Sequence, residues 1–305
     1  MEKYLNTFSP LGVMLYILLI LTGCKAGTNQ ENYQVLDLSG ATIHYDVAGE
    51  GFPLILIHGS LTDMRYWERQ VPTLQKYYCV YTYSRRYNYP NQNQPIANHS
   101  AIVEAEDLLN FMDALEIKEA NILGHSYGAY TALVFAMEHP KRVKKMILAE
   151  PPIIRWLTED SGNNATYDKF MHQTWNPIGM AYLKGGEKAG LDQTSKWYFQ
   201  SEFDSIPEFW RTSFLQNSKE WELLATSSDA FPLVDMDRVK MLTTPTMLLS
   251  GALNTGNMND LIDCKLEELL PNDIWIKIDN AGHEMFLDNS IDSNLAILAF
   301  LSANH

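Results

Sequence analysis

The chain has 305 residues, of which 46% are hydrophobic, and a formal net charge of −14 at pH 7. That length is enough to bury one large core and still carry an insertion, while the acidic balance argues against a polyanion such as nucleic acid as a partner. With three cysteines, the sequence lacks the material for a disulfide framework or a cysteine-based zinc site.

The N-terminus reads as a targeting segment. Leu11 to Leu21 is apolar but short for a membrane span, and it ends in Leu21-Thr22-Gly23-Cys24. This ending resembles the lipobox of bacterial lipoprotein signal peptides. The resemblance implies cleavage before Cys24, a diacylglycerol on its thiol and an acylated amino terminus, which together anchor a protein stably on a bilayer. A plain N-terminal transmembrane anchor is the alternative. Residues 1–23 are therefore expected to be a signal peptide and 24–32 a polar tether. Lys25 stands where an Asp commonly retains lipoproteins on the inner membrane. The expected address is the bacterial cell envelope, at the outer membrane, on its periplasmic or surface side.

From Tyr33 the pattern is that of a hairpin, Tyr33 to Leu38 and Thr42 to Val47, turning at Ser39-Gly40. Buried strands then alternate with amphipathic helices. Leu54 to Ile57 is a strand, Trp67 to Lys76 a helix, and Tyr78 to Tyr83 a strand. Ser100 caps a helix with Ile102, Leu108, Leu109, Met112 and Leu115 on its inner face. Strand Ala120 to Leu123 precedes a helix from Ala129 to His139, and Lys145 to Ala149 is a further strand. The alternation lapses after Pro151 and resumes with strand Thr246 to Ser250, helix Asn259 to Leu270, strand Ile274 to Ile278 and helix Ile291 to Leu301. Such alternation predicts a doubly wound, mostly parallel sheet with function at the carboxyl ends of its strands. His58, Ser126, Glu150 and Asn254 fall just beyond such ends. Cys79, on a central strand, and Cys264, on a helix, are expected to be buried free thiols.

The interrupted stretch, 153–232, holds five of the seven tryptophans, Trp156, Trp175, Trp197, Trp210 and Trp221. An insertion this aromatic predicts a helical cap that closes an apolar pocket over the site, with many of the rings packing the cap itself.

Gly124-His125-Ser126-Tyr127-Gly128 is a G-x-S-x-G motif between a strand and a helix, the setting of a nucleophile elbow. The turn is so tight that glycines are needed two residues before and two after the serine, and it presents the hydroxyl at a helix N-terminus. With this elbow, His58-Gly59 after the third strand and Ala281-Gly282-His283 after the last, the chain resembles the α/β-hydrolase family over residues 33–305. The resemblance implies an eight-stranded sheet, with core segments 33–152 and 233–305 and the cap between strands six and seven. It implies Ser126 as nucleophile, His283 as general base, and the backbone N–H groups of Ser60 and Tyr127 as the oxyanion hole. In the segment Tyr83-Ser84-Arg85-Arg86-Tyr87, Arg86 matches the arginine that in relatives braces the oxyanion turn.

The third triad member departs from the commonest pattern of the family. An aspartate usually follows strand seven, and this chain has Asn254 there, whose neutral amide cannot balance an imidazolium. Glu150, in Leu148-Ala149-Glu150-Pro151-Pro152, occupies the place of the catalytic carboxylate in one haloalkane dehalogenase subgroup, and the loop Gly251 to Met258 is similar to that subgroup's. Asp260 is the competing carboxylate, and pairing with Arg155 is the structural alternative for Glu150. Dehalogenation itself is excluded, because it requires an aspartate nucleophile where this chain has Ser126. The expectation is a serine hydrolase of an ester or related acyl bond in a small, partly apolar substrate, with no metal or organic cofactor. Carbon–carbon bond hydrolysis, a cofactor-free haloperoxidase-like activity and a catalytically silent binding protein are the alternatives.

Overall fold

The computed structural model describes residues 33–158 and 163–303. The expected signal peptide, Cys24 and the expected tether lie outside the described residues. Among the described residues, no helix is long and apolar enough to cross a membrane.

Tyr33 onward forms one unit. Its hairpin consists of β1 (Gln34–Leu38) and β2 (Ala41–Ala48), turned at Gly40, whose φ of 88° suits a residue without a β-carbon. The sheet continues through β3 (Pro53–Ile57), β4 (Cys79–Tyr83), β5 (Ala120–His125), β6 (Val143–Ala149), β7 (Thr246–Gly251) and β8 (Asp273–Ile278). The spatial order is β1-β2-β4-β3-β5-β6-β7-β8, with β2 antiparallel to both its neighbours and all strands from β4 onward parallel. Leu54, Ile55, Leu56 and Ile57 are wholly buried because helices cover both faces. From β3 the chain moves outward to β4 and then returns to the other side of β3 as β5. The loops after β3 and β5 therefore diverge, leaving a crevice at the carboxyl ends of these strands.

The segment between β3 and β4 is not the expected helix from Trp67 to Lys76. It is a 3₁₀ turn, Met64–Arg69, followed by one α-turn, α1 (Val71–Leu74). Pro72 has no N–H to donate and fits only within a helix's first turn, so it restarts the chain instead of continuing the helix. Next comes α2 (Ala101–Ala114), which packs Ala101, Ala105, Leu108, Phe111 and Met112 inward while Ile102 is 53% exposed. The elbow helix α3 (Tyr127–Glu138) is buried along most of its length.

The insertion between β6 and β7 is helical, with α4 (Asn164–Phe170), α5 (Asn176–Phe199) and α6 (Glu208–Thr226). Helix α5 kinks at Gly186, whose φ of 72° interrupts the helical backbone. The core then resumes through α7 (Met236–Lys240), α8 (Met258–Leu269), α9 (Met285–Asp288) and α10 (Ser290–Ser302). The cysteines differ from expectation. Cys264 is exposed, since α8 turns Ile262, Asp263 and Leu266 inward, and Cys79 is only half-buried at the start of β4.

Candidate active site

Ser126 sits at the tip of the β5-α3 turn with φ 52° and ψ −121°, a region that a residue with a side chain occupies only under strain. A β-carbon at Gly124 would lie 2.5 Å from Ala129 Cα, and one at Gly128 2.5 Å from the His58 carbonyl oxygen. Both glycines are thus demanded by close backbone approach. The Ser126 N–H donates to the Ala149 carbonyl at 2.7 Å, which ties the elbow to the end of β6. The Tyr127 N–H begins α3, where an intrahelical acceptor is lacking by construction.

The loop after β3 lies directly against this turn, since a β-carbon at Gly59 would stand 3.1 Å from Ser126 Cβ. His58 underpins the loop. Its Nε2 accepts from the Arg85 N–H at 3.0 Å, so its Nδ1 carries the proton donated to the Gly59 carbonyl at 2.8 Å. Burial, reinforced by the Arg85 charge, lowers its pKa to about 3 and keeps the ring neutral. Arg85, rather than Arg86, braces the turn after β3. Its guanidinium donates to the Gly59 carbonyl at 3.1 Å, to both Glu104 oxygens at 2.6 and 2.7 Å, and to Glu220 Oε1 at 2.8 Å. Arg86 instead pairs with Asp107 and donates to the Gly40 carbonyl, away from the site. Adjacent arginines in a loop point in different directions, and sequence alone did not separate them.

Glu220, on α6 of the cap, also accepts from Ser60 Oγ at 2.9 Å, so the cap is bonded to the loop after β3 through a wholly buried carboxylate. An Arg85→Met variant leaves Glu104 and Glu220 buried together without their shared cation. The expected loss of stability is about 3–5 kcal/mol, read from urea unfolding, and a loss below about 1 kcal/mol would show that the network is not structural.

His283 lies in the loop after β8, and its Nδ1 is 2.5 Å from Glu150 Oε2. Glu150 ends β6 with a left-handed φ of 48°, which turns its side chain toward β7. There the carboxylate receives the Gly251 N–H at 2.9 Å, Asn254 Nδ2 at 2.7 and 2.8 Å, and Asn259 Nδ2 at 2.9 Å. Asn254, at the family's common acid position, thus serves as a donor to the carboxylate beside it. Burial would raise the Glu150 pKa, but the His283 and Asn254 hydrogen bonds and the imidazole charge hold it below the ordinary carboxylate value. For His283 burial works against charge, yet the Glu150 hydrogen bond and charge outweigh it and lift the pKa to about 8. Asp260 is engaged elsewhere, with Lys277 Nζ at 2.6 Å and the Gly256 N–H at 2.7 Å.

Ser126, Glu150 and His283 face one cavity of about 690 Å³, roofed from the cap by Trp175, Trp197, Trp221 and Phe170. Trp156 instead packs within the fold, its indole N–H on the Val234 carbonyl. Potential metal donors come together, among the described residues, at His125, His283 and Glu284. These are knit into the fold: His125 Nε2 lies 2.8 Å from the His283 carbonyl, and each Glu284 oxygen takes a phenol hydroxyl, one from Tyr66 and one from Tyr198. Asn259, Glu220 and Glu284 were not identified from sequence; only Glu284 carried any signal, its adjacency to His283.

The family pattern described as alpha/beta hydrolase fold matches residues 53–290, a range that contains all of these positions. The chain belongs to the α/β-hydrolase family. This α/β-hydrolase is 36% identical over 124 residues to a 2-hydroxy-6-oxo-6-phenylhexa-2,4-dienoate hydrolase of Comamonas testosteroni, covering 38% of this chain and 42% of that enzyme. It is 25% identical over 223 residues to 3-oxoadipate enol-lactonase 1 of Acinetobacter baylyi, covering 72% and 78% of the two chains. The match spans between 32% and 60% of the length of the first four curated relatives. Among solved structures, the enol-lactonase of Burkholderia xenovorans LB400 superposes with a TM-score of 0.69 at 18% identity, covering 88% of this chain and all of that one. At that identity the superposition speaks for the fold.

Proposed function

We propose that this α/β-hydrolase cleaves an ester or related acyl bond of a small, partly apolar substrate through an acyl-enzyme, with Ser126 as nucleophile, His283 as base and Glu150 as acid. The observation that carries the reading is the 2.5 Å contact of His283 Nδ1 with Glu150, on the same cavity that Ser126 faces. An ionised Glu150 holds the proton on Nδ1, which leaves Nε2 bare to take the Ser126 proton as the hydroxyl attacks the carbonyl carbon. Negative charge developing on the carbonyl oxygen is then met by the N–H groups of Tyr127 and Ser60. His283 returns the proton to the leaving group, and water repeats the sequence on the acyl-enzyme.

The test is covalent. A fluorophosphonate is expected to label Ser126, at a rate that rises with pH through about 8, because His283 accepts a proton only in its neutral form. Folded protein that stays unlabelled at pH 9 would remove the reading. Carbon–carbon bond hydrolysis on the same triad is the second reading, favoured by the 36% identity to the dienoate hydrolase.

We also infer lipid anchoring in the cell envelope through Cys24, supported by Leu21-Thr22-Gly23-Cys24. Mass spectrometry of the membrane fraction should find diacylglycerol on the Cys24 thiol, and an intact, unmodified N-terminus there would refute it.

A further inference from the structure

We propose that a side chamber beside His283 is a binding subsite for an alkylammonium group on the leaving alcohol of the substrate, a conclusion that rests on the acyl-transfer reading above. The chamber is a recess of about 430 Å³, more open to solvent than the main cavity, lined by Trp197, Tyr198, Phe199 and Trp210 of the cap, with Glu284 and Asp288 of the core. It adjoins the main cavity, because Trp197, Tyr198, Trp210, His283 and Glu284 line both.

The aromatic rings form corners, not a flat stack. Trp197 and Tyr198 have centroids 5.7 Å apart at 80°, Tyr198 and Trp210 6.3 Å at 47°, and Phe199 and Trp210 5.8 Å at 53°. Angled π-faces around a hollow attract a diffuse cation, which an acyl chain or a carboxylate does not exploit.

Glu284 supplies the charge. One of its oxygens accepts from Tyr66 Oη at 2.9 Å and the other from Tyr198 Oη, two neutral donors. Among the described residues the basic groups beside it are the His125 and His283 imidazoles, within 4.8 Å, and not a lysine or arginine. Tyr198, by donating into a carboxylate, gains electron density in its ring and becomes a better seat for a cation. Across both linings Lys169 is the one lysine or arginine, set against Glu150, Glu284 and Asp288. An anionic substrate would be disfavoured there, and the chain's charge of −14 draws cations toward it.

The position of the chamber assigns the cation to one half of the substrate. Gly59 and Ser60 hold the carbonyl oxygen's side, whereas His283 delivers its proton to the departing alcohol. The group lodged beside His283 therefore leaves with that alcohol. The reaction is an ester plus water giving a carboxylic acid and an amino alcohol: the acyl C–O bond breaks, the alcohol oxygen takes the proton from His283, and water supplies the new acyl C–O bond.

The experiment compares butyrylcholine with 3,3-dimethylbutyl butyrate, its uncharged isostere, at low ionic strength. In the intact protein kcat/KM should favour the choline ester by about two- to fivefold, the scale of a cation–π contact at a partly exposed site. Glu284→Gln and, separately, Trp197→Leu should bring the ratio toward one. Independently, tetramethylammonium titrated into Ser126→Ala protein should quench tryptophan fluorescence, which requires no catalysis. Quenching without cleavage of either ester would keep the subsite and remove the acyl-transfer reading. Fluorophosphonate labelling of Ser126 with equal rates on the two esters and no quenching would keep that reading and overturn the subsite.

Discussion

Ser126→Ala is expected to lower kcat on an activated ester by about 10⁶-fold while leaving the unfolding transition in place. The scale follows from serine hydrolases in which nucleophile and base act as one unit, so that losing either removes almost all the chemistry. His283→Ala should therefore be as damaging, and the double variant no worse than either single one. The fold is unaffected because the elbow is held by its backbone: the Ser126 N–H on Ala149, the Ala129 N–H on the Ser126 carbonyl, and the packing of Gly124 and Gly128. Alanine inherits the φ of 52° at no added steric burden. Residual turnover above about one per cent of wild type, in protein free of contaminating esterase, would move the nucleophile elsewhere.

Glu150→Gln is the second large effect, a fall in kcat of about 10⁴-fold with a much smaller change in KM. Two causes add. The imidazolium loses its counter-charge, and the proton on Nδ1 loses the acceptor that fixed its position. The new amide also meets donors at close range, since Gly251, Asn254 and Asn259 all present N–H groups to that site. Asp260→Asn, by contrast, breaks a partly exposed contact with Lys277 and should leave kcat within a few-fold. The reverse pattern, with Asp260→Asn silencing the enzyme and Glu150→Gln tolerated, would exchange the two assignments.

What the sequence made legible is what backbone sterics dictate. The glycines around Ser126 have no substitute at their separations, so the elbow announced itself. The strands announced themselves through wholly apolar runs such as Leu54 to Ile57, which require cover on both faces. Proximity of Glu150 to His283 was inferred from two loops, because a carboxylate at a strand end and an amide in place of the usual acid suggest each other. Other features depend on where long side chains reach, which local pattern does not encode. Arg85 and Arg86 are chemically identical neighbours, yet Arg85 takes Glu104, Glu220 and the Gly59 carbonyl while Arg86 takes Asp107, one turn further along α2, and the Gly40 carbonyl. Glu220 lies in mid-helix on an aromatic insertion, with no motif to mark its contact with a loop 160 residues earlier. Cys264 was misplaced because its burial depends on the phase of α8, set by Ile262 and Leu266.

The bond between α6 and the loop after β3 limits how the cap can move. Arg85, Glu220 and Ser60 fasten the roof to the floor on one side and the Tyr198–Glu284 hydrogen bond fastens it beside His283, so lifting the roof as a rigid plate would strip a guanidinium of one of its two carboxylates. Bending is instead expected within the roof itself, where α5 already breaks at Gly186.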